Sequence, residues 1–273
     1  QIAVLETMTP LDFLDFRRYL GTASGFQSYQ FRILENRLGL LRKNRLRYSG
    51  KEYVEDLEGE QRKLVEESEQ QTSMFDVLEQ WLERTPFLDQ HFDFRKAYCD
   101  AIERMSIADR DLTRNDNSLS EEERNWRLTA IDTSAADLVQ FFDPQFHQKQ
   151  IQKGFKRLSH RATIAALFIS LYRDEPMLQQ PYQVIESLIN IDENFTVWRS
   201  QHAVMVHRML GRKMGTGKSS GFEYLKETVE KSRVFTDLFN LSTFLIPRSD
   251  LPELPNSLRQ HLAFHYSVET GAV

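Results

Sequence analysis

The sequence predicts an all-α protein, and three observations lead to that expectation. Apolar residues recur at helical spacing along most of the 273 residues, whereas alternating apolar and polar strand patterns are scarce. Only 11 glycines and 8 prolines interrupt the chain, which allows long helices. The chain is 40% hydrophobic, so it can bury a sizeable core. We therefore expect a large, bundle-like helical fold.

The first two helices have clear boundaries in the sequence. Thr9 can cap a helix in which Pro10 takes the first position and Asp12 faces the positive helix end. This helix is expected to stop near Gly21. A second helix should carry Phe26, Phe31, Leu34 and Leu38 on its apolar face and close at Gly39.

The middle of the chain is more polar. Residues 42–70 are charged and are expected to form solvated helix or loop, followed by an amphipathic helix over Met74–Leu82. Residues 88–140 hold acidic and polar clusters, among them the cap pair Ser120 and Glu123. We interpret residues 88–150 as an inserted helical excursion with a mobile loop near 111–119.

From Leu158 onward the sequence is again typical of a core. Ser159–Tyr172 is predicted to be a buried helix, and Pro176 and Pro181 are expected to bracket a turn. The remaining predicted elements are helices over Tyr182–Asn190 and Asn194–Leu210, a loop over Gly215–Gly221, an amphipathic stretch to Leu245, and a Pro-rich tail over Ile246–Pro255.

Charge and composition argue against several classes of protein. A net charge of −5 disfavours broad nucleic-acid binding, which needs a basic surface. No run approaches the roughly 20 apolar residues that span a membrane, so no membrane association is expected. The single cysteine, Cys99, leaves no intrachain disulfide or thiolate metal site and fits a reducing cytosol. Gln1–Glu6 lack an initiator Met and a signal-peptide pattern, and we expect a segment to precede them.

One histidine lies where it could meet a buried group. Trp198, His202, Met205 and Met209 are spaced i, i+4, i+7 and i+11, which makes one helical stripe. His207 lies about 140° around that helix from His202. An imidazole among Met and aromatic side chains is how a proximal haem ligand is presented. Periodicity alone favours the alternative, a core histidine that hydrogen-bonds to a backbone carbonyl.

The glycine-rich loop that begins at Gly211 is not a phosphate-binding P-loop. Five residues separate Gly211 from Gly217, where that motif has four, and the loop follows a helix instead of a strand. Thr216, among glycines and serines, could still offer hydroxyl and backbone donors to an anion or a carboxylate. A flexible connector is an equally good interpretation.

Arg17 lies among aromatic and apolar residues of the first helix, four residues after Phe13. A partly desolvated guanidinium needs an anionic partner, which a substrate carboxylate would supply in bidentate geometry. An internal ion pair with Asp12, Asp15 or Glu35 explains the pattern as well. We find no metal-ligand spacing, no catalytic triad and no dinucleotide motif, so these patterns alone predict only a large helical globular protein.

Six blocks, in order, resemble one known family, the tryptophan 2,3-dioxygenases in their animal form. The blocks are LETMTPLDFLDFRRYLGTASGFQSYQFRILENRLG, WLERTP, HRATIAALFISLYRDEP, WRSQHAVMVHRMLG, GTGKSSGFEYLKETV and FNLSTFLIPR. The similarity extends to about Arg248 and is weakest over residues 88–150.

The resemblance implies a helical haem dioxygenase fold and a homotetramer with one haem b (ferrous iron) per subunit, located in the cytoplasm. The reaction would insert both atoms of O₂ into the indole ring of L-tryptophan and give N-formyl-L-kynurenine, in the kynurenine pathway of tryptophan catabolism. His202 would be the haem iron ligand and Arg17 the residue that binds the substrate carboxylate. The distal histidine is expected in the preceding segment.

The resemblance assigns the other site residues by position. Phe13 and Leu20 would line the substrate pocket, Ser24 and Gly25 would lie beside the haem edge and the bound O₂, and Thr216 would contact the ammonium and carboxylate groups of the substrate. A second, non-catalytic tryptophan site, as in animal members, would comprise Trp81, Arg84 and Pro86.

The resemblance also suggests three segments along the chain. These are residues 1–87, a helical core with the carboxylate-binding arginine; residues 88–150, the excursion; and residues 151–273, a helical core with the haem histidine and the glycine-rich loop. Two positions depart from the family pattern: Lys218 replaces a glycine, and Ser200 replaces a tyrosine near His202. The alternative function is a helical tryptophan- or haem-binding module of the same family without turnover.

Overall fold

The structure, a computed structural model, describes residues 7–20, 28–40, 47–48, 51–52, 57, 59–85, 92–211 and 233–263. These ranges are built predominantly from α-helices, which confirms the all-α prediction. The helices are α1 (Pro10–Leu20), α2 (Ser28–Leu38), α3 (Gly59–Glu69), α4 (Met74–Glu83), α5 (Phe94–Asn115), α6 (Glu121–Gln140), α7 (Pro144–Gln152), α8 (His160–Leu171), α9 (Pro176–Leu210), α10 (Thr236–Phe239) and α11 (Asn256–Leu262).

The described residues also include a two-stranded antiparallel ribbon that the sequence did not predict. Strands β1 (Arg47–Tyr48) and β2 (Lys51–Glu52) pair with Arg47 opposite Glu52. Each strand has only two residues, too few to produce the alternation by which a strand is recognised.

The predicted helix starts at Thr9 and Ser120 are confirmed. The Thr9 hydroxyl accepts the backbone N–H of Asp12 (3.2 Å), and the Asp12 carboxylate accepts the Thr9 backbone N–H. Ser120 and Glu123 form a complete capping box at the start of α6. Asp93 and Ser159 cap α5 and α8 in a similar way. The ends of these helices are therefore set by local hydrogen bonds.

The expected turn at Pro176 and Pro181 is wrong. Pro181 lies inside α9, which runs unbroken from Pro176 to Leu210 and merges the two helices predicted over Tyr182–Asn190 and Asn194–Leu210. No glycine or proline follows Pro181 until Gly211, so nothing in that stretch stops the helix. Gly211, at φ 58°, ends α9 as predicted.

Two further boundaries differ from the prediction. Helix α5 continues to Asn115, so the connection to α6 comprises residues 116–120 instead of 111–119. The described part of the predicted final amphipathic stretch is the short α10 and a 3₁₀ helix over Asn240–Phe244. In the Pro-rich tail a single 3₁₀ turn occurs at Arg248–Asp250 before α11 begins.

The chain forms two compact units, and their boundaries fall inside α4 and α9. The first unit comprises Gln1–Leu78 and Ser187–Thr236, and the second comprises Glu79–Glu186 and Asp237–Val273. The three segments expected from the sequence remain a prediction.

In the first unit, α2 packs on α3 through a buried polar contact. The Asn36 side-chain amide donates to the Ser68 hydroxyl (2.7 Å) and to the Val65 carbonyl (3.3 Å). Gly39 ends α2 at φ 99°, and a Cβ there would lie 2.6 Å from the Ser73 Oγ. Only glycine suits this position, because both the backbone angle and the close approach exclude a side chain.

In the second unit, aromatic rings from four helical segments form the core. Phe94 contacts Phe142 and Phe168 edge-to-face at 5.7 and 5.3 Å between centroids. Helix α8 is buried on nearly all sides, which confirms the sequence prediction for this segment. Within the described ranges, no helix has the length and apolar content needed to cross a lipid bilayer.

Candidate functional site

The helix that carries His202 is anchored within the first unit by a buried carboxylate. Asp192 accepts the backbone N–H groups of Val234 (2.9 Å) and Phe235 (2.5 Å). Asp192 is 6% exposed, and burying a carboxylate is costly unless several donors satisfy it. These bonds fix the chain just before α10 against α9.

Two side-chain contacts join α9 to α2 one turn before His202. The rings of Trp198 and Phe31 stack at 4.0 Å between centroids, with planes 18° apart. The guanidinium of Arg199 forms an ion pair with the carboxylate of Glu35, and both side chains are 10% exposed. Arg32 binds the other oxygen of Glu35 at 2.7 Å. This part of α9 is therefore held by stacking and by a buried charge cluster.

His202 follows this anchor on the same helical stripe. Its ring centroid lies 5.1 Å from that of Trp198, and Met205 and Met209 are buried further along the stripe. Burial lowers the pKa of His202, and the positive charge of Arg199 lowers it further. The imidazole is therefore neutral at pH 7, with its Nδ1 buried and without a hydrogen-bond partner among the described residues.

An axial haem ligand would account for a buried ring nitrogen without a partner among the described residues. A core histidine would hydrogen-bond to a backbone carbonyl, and within the described ranges Nδ1 makes no such bond. A neutral imidazole beside aromatic and Met side chains can donate a nitrogen lone pair to iron. The described ranges contain no cluster of three or more metal-binding side chains, but a haem needs only one axial protein ligand.

Helix α1 contains Phe13, Arg17 and Leu20 in consecutive turns. Phe13 is half-buried, whereas the predictions for the side chains of Arg17 and Leu20 lie outside what the structure describes. Of the proposed internal partners of Arg17, Glu35 already binds Arg32 and Arg199, and Asp12 binds the Thr9 hydroxyl (2.6 Å). Both α1 and the His202 part of α9 belong to the first unit.

The remaining predicted site residues fall into two groups. Ser24, Gly25, Thr216 and Pro86 lie outside the described residues, as does the departure at Lys218. Trp81 and Arg84 lie at the end of α4, in the second unit, where Trp81 is 38% exposed. The Arg84 backbone N–H donates to the Trp81 carbonyl (3.2 Å), so their backbones share one turn.

The sequence interpretation missed the residues that position α9. It assigned no role to Asp192 or Arg199, and it considered Glu35 only as a partner of Arg17. Asp192 carried a detectable signal, since it follows the apolar Leu188 by four residues and therefore lies on the inner face of the helix. Charged residues on an inner face indicate buried polar contacts.

Comparison with known proteins agrees with the resemblance. The family model described as tryptophan 2,3-dioxygenase matches residues 1–245. A protein named tryptophan 2,3-dioxygenase from Bdellovibrio bacteriovorus is 44% identical over 267 residues, which covers 97% of this chain and 74% of that protein. A second protein with this name, from Alteromonas mediterranea, is 43% identical over 270 residues, with the same coverage of each chain.

The range matched by the family model includes five of the resembling blocks in full and most of the sixth, and the identity to the relatives extends over nearly the whole chain. The animal subtype stays a prediction. Together with the helical fold and the half-buried imidazole on α9, the comparisons lead to one conclusion: the chain belongs to the tryptophan 2,3-dioxygenase family.

Proposed function

We propose that this protein is a haem-dependent dioxygenase that adds both atoms of O₂ across the indole 2,3-bond of L-tryptophan and forms N-formyl-L-kynurenine. The observation that carries the proposal is the neutral His202, with its buried Nδ1, on the α9 stripe of a chain that belongs to this family. The alternative, a binding module without turnover, is not favoured, because the matched relatives bear the name of an enzyme.

His202 would hold haem b through an imidazole nitrogen. Haem, when bound, supplies the O₂ chemistry, and the protein supplies binding and orientation. The contacts of Trp198 with Phe31 and of Arg199 with Glu35 fix the turn before His202. A fixed turn keeps the imidazole in one orientation, which an axial ligand needs.

Arg17 and Thr216 would bind the zwitterionic end of L-tryptophan. A guanidinium pairs with a carboxylate through two parallel hydrogen bonds, so it fixes orientation as well as position. Holding the substrate in one orientation lowers the entropic part of the barrier to oxygen addition.

The apolar part of the substrate would contact residues of α1 near Arg17. Phe13 and Leu20, one turn on either side of Arg17, would line the pocket for the indole ring. Ser24 and Gly25 would lie beside the haem edge. An apolar lining excludes water from the reacting ring, which strengthens the electrostatic contacts at the zwitterionic end.

Three further features belong to this proposal. The assembly would be a homotetramer located in the cytoplasm, as the family resemblance implies. The tip of α4 would form a second tryptophan site from Trp81, Arg84 and Pro86. The half-exposed indole of Trp81 leaves a ring face accessible for stacking there.

The test compares the protein with the variants His202→Ala and His207→Ala. Both histidines lie on α9, and His207 is exposed on another face, so it is the matched control. Reconstitution with haem should give a Soret band and O₂-dependent conversion of L-tryptophan in the unmodified protein and in His207→Ala. In His202→Ala both signals should be lost.

A normal Soret band in His202→Ala would refute the ligand assignment. Haem binding without conversion of L-tryptophan in the unmodified protein would instead favour the binding module. Circular dichroism of each variant separates these outcomes from unfolding.

A further inference from the structure

The second unit contains a pocket that none of the site residues named above lines. Its volume is about 330 Å³, near the lower end of the range for small-molecule sites. The apolar walls come from Phe141, Phe146, Phe155, Leu241 and Phe244. The pocket therefore has the size and lining of a site for a small aromatic molecule.

Lys156 places a positive charge next to the aromatic rings that line this pocket. Its ammonium lies 5.1 Å from the centre of the Phe141 ring and 5.7 Å from that of Phe244. The lysine is half-buried, and burial lowers its pKa. Among the described residues, no carboxylate lies within ion-pairing distance of this ammonium.

The two other charged groups of the pocket are already satisfied. The carboxylate of Asp237 accepts the backbone N–H groups of Arg157 (2.7 Å) and Leu158 (2.6 Å). Asp137 is exposed, so water screens its charge. The charge of Asp237 raises the pKa of Lys156, in opposition to burial, but no ion pair joins the two side chains. Within the described residues, Lys156 is therefore a pocket charge that is neither fully hydrated nor directly ion-paired.

The backbone around Lys156 is fixed, so the charge belongs to a built site. Gly154, at φ 75°, ends α7 in a Schellman motif, in which the Phe155 N–H donates to the Gln150 carbonyl (3.0 Å). On the other side, Asp237 binds the two amides that follow Lys156. The backbone is thus held on both sides of Lys156.

We propose that this pocket binds an aromatic monocarboxylate, whose carboxylate pairs with the Lys156 ammonium while its ring packs against Phe141 and Phe244. A carboxylate would give the half-buried ammonium the direct ion-pair partner that it lacks among the described residues, and an aromatic body matches the apolar walls. A free phosphate would pair with the ammonium, but it has no apolar group that could pack against the aromatic walls.

The probe for this proposal is 2-naphthoate, titrated into the full chain by isothermal calorimetry. Neutral 2-naphthylmethanol, cationic 2-naphthylmethylamine and inorganic phosphate are the comparison compounds. Binding of 2-naphthoate should be tighter than that of each comparison compound. Equal or tighter binding of the amine, the alcohol or phosphate would overturn the proposal, as would the absence of 2-naphthoate binding at millimolar concentration.

Variants at the lysine provide the second arm. Lys156→Met keeps an unbranched stem but removes the charge, and should weaken 2-naphthoate binding about ten- to a hundredfold, since a charge-assisted hydrogen bond is lost. Lys156→Arg should retain most of the affinity. Lys153→Met is the control, because Lys153 is an exposed residue at the end of α7, and this variant should bind 2-naphthoate normally.

The variants also separate binding at this site from instability. If Lys156→Met fails to give the helical circular dichroism of the parent, Lys156→Gln takes its place in the comparison. Unchanged affinity in a folded, uncharged variant would overturn the proposal, and so would an equal loss in Lys153→Met. The outcome is independent of haem, since none of the pocket residues is part of the proposed haem site.

Discussion

The guanidinium of Arg199 and the carboxylate of Glu35 form a buried ion pair between α9 and α2, three residues before His202. Each side chain is 10% exposed, and Arg32 binds the same carboxylate. Removing one member of a buried pair leaves the other charge in a medium that solvates it poorly. The pair should therefore matter both for stability and for the orientation of His202, the proposed haem ligand.

We expect Glu35→Met to lower the free energy of unfolding by about 3–5 kcal/mol, because Arg199 loses its counter-charge. Urea denaturation measures this loss. The control is Glu66→Met, which breaks an ion pair with Arg62 in which Glu66 is 49% exposed and should cost no more than about 1 kcal/mol. Equal losses in the two variants would contradict a structural role for the buried pair.

The double variant Glu35→Met with Arg199→Met should recover part of that loss. Two methionines replace the Arg199 and Glu35 charges with apolar groups, so Arg199 no longer remains as an unpaired charge. Arg32, which also binds Glu35, still loses its counter-charge, so the recovery is only partial. A further loss of unfolding free energy relative to Glu35→Met alone would mean that loss of the ion pair, and not the unpaired arginine, causes most of the destabilisation.

Arg17→Ala should weaken L-tryptophan binding by about 2–5 kcal/mol if its guanidinium pairs with the substrate carboxylate in a desolvated pocket. Equilibrium titration of the haem-loaded protein measures this affinity. Arg18→Ala, the adjacent position on α1, serves as the control and should bind tryptophan as the parent does. Unchanged affinity in Arg17→Ala would remove this residue from the proposed substrate site.

The buried His147 and the half-buried His160 should make stability fall in mild acid. Their rings lie 5.1 Å apart, and the His147 Nε2–H donates to the Leu158 carbonyl (2.8 Å). Burial lowers the pKa of both rings, and the Lys156 charge lowers each further. Asp237 acts in the opposite direction on His147, as Asp143 does on His160, while Arg95 lowers the pKa of His160.

The direction of the pH effect follows from these shifts. The unfolded chain has ordinary His pKa values near 6.5, so it binds protons at pH values at which the folded pair stays neutral. Stability from this pair is therefore complete above about pH 6.5 and declines as the pH falls below it. Urea midpoints at pH 7.5, 6.5 and 5.5 should follow this trend, and His147→Gln should flatten it. An unchanged pH slope in that variant would exclude His147 as a source of the effect.

Gly39→Ala should destabilise the protein by about 2–5 kcal/mol. The position combines φ 99° with only 2.6 Å and 2.9 Å between an added Cβ and the Ser73 Oγ and Phe75 Cβ. Gly59→Ala is the matched control, because Gly59 also has positive φ (59°) but no atom within 4 Å of its Cβ position. This control should lose only about 1–2 kcal/mol on thermal denaturation. Equal losses would mean that the close approach at Gly39 costs little.

Local interactions account for what the sequence predicted well. The cap at Thr9, the capping box at Ser120 and the helix end at Gly39 each depend on residues within a few positions of one another. The stripe that contains His202 was predictable for the same reason, since helical periodicity fixes which side chains share a face. The family resemblance then added the chemistry that periodicity could not supply.

Contacts between segments that are distant in sequence could not be predicted from the sequence patterns. Glu35 and Arg199 are 164 positions apart, and no local rule pairs them. The sequence analysis placed a break over Ile191–Glu193, although no glycine or proline occurs there, and α9 continues through it. The Lys156 pocket likewise brings together segments from α6 to the 3₁₀ helix at Asn240–Phe244, so neither its walls nor its charge is evident from one segment alone.

Helix α6 has none of its side chains fully buried, even though it is 20 residues long. Its order rests on the capping box and on contacts with α5, such as the Arg110–Asp132 ion pair (2.7 Å). Substitutions along its outer surface therefore cost little free energy, and its sequence can diverge between relatives while the hairpin persists. That tolerance makes the exposed face around Trp126 a suitable place to attach a spectroscopic label without disturbing the rest of the molecule.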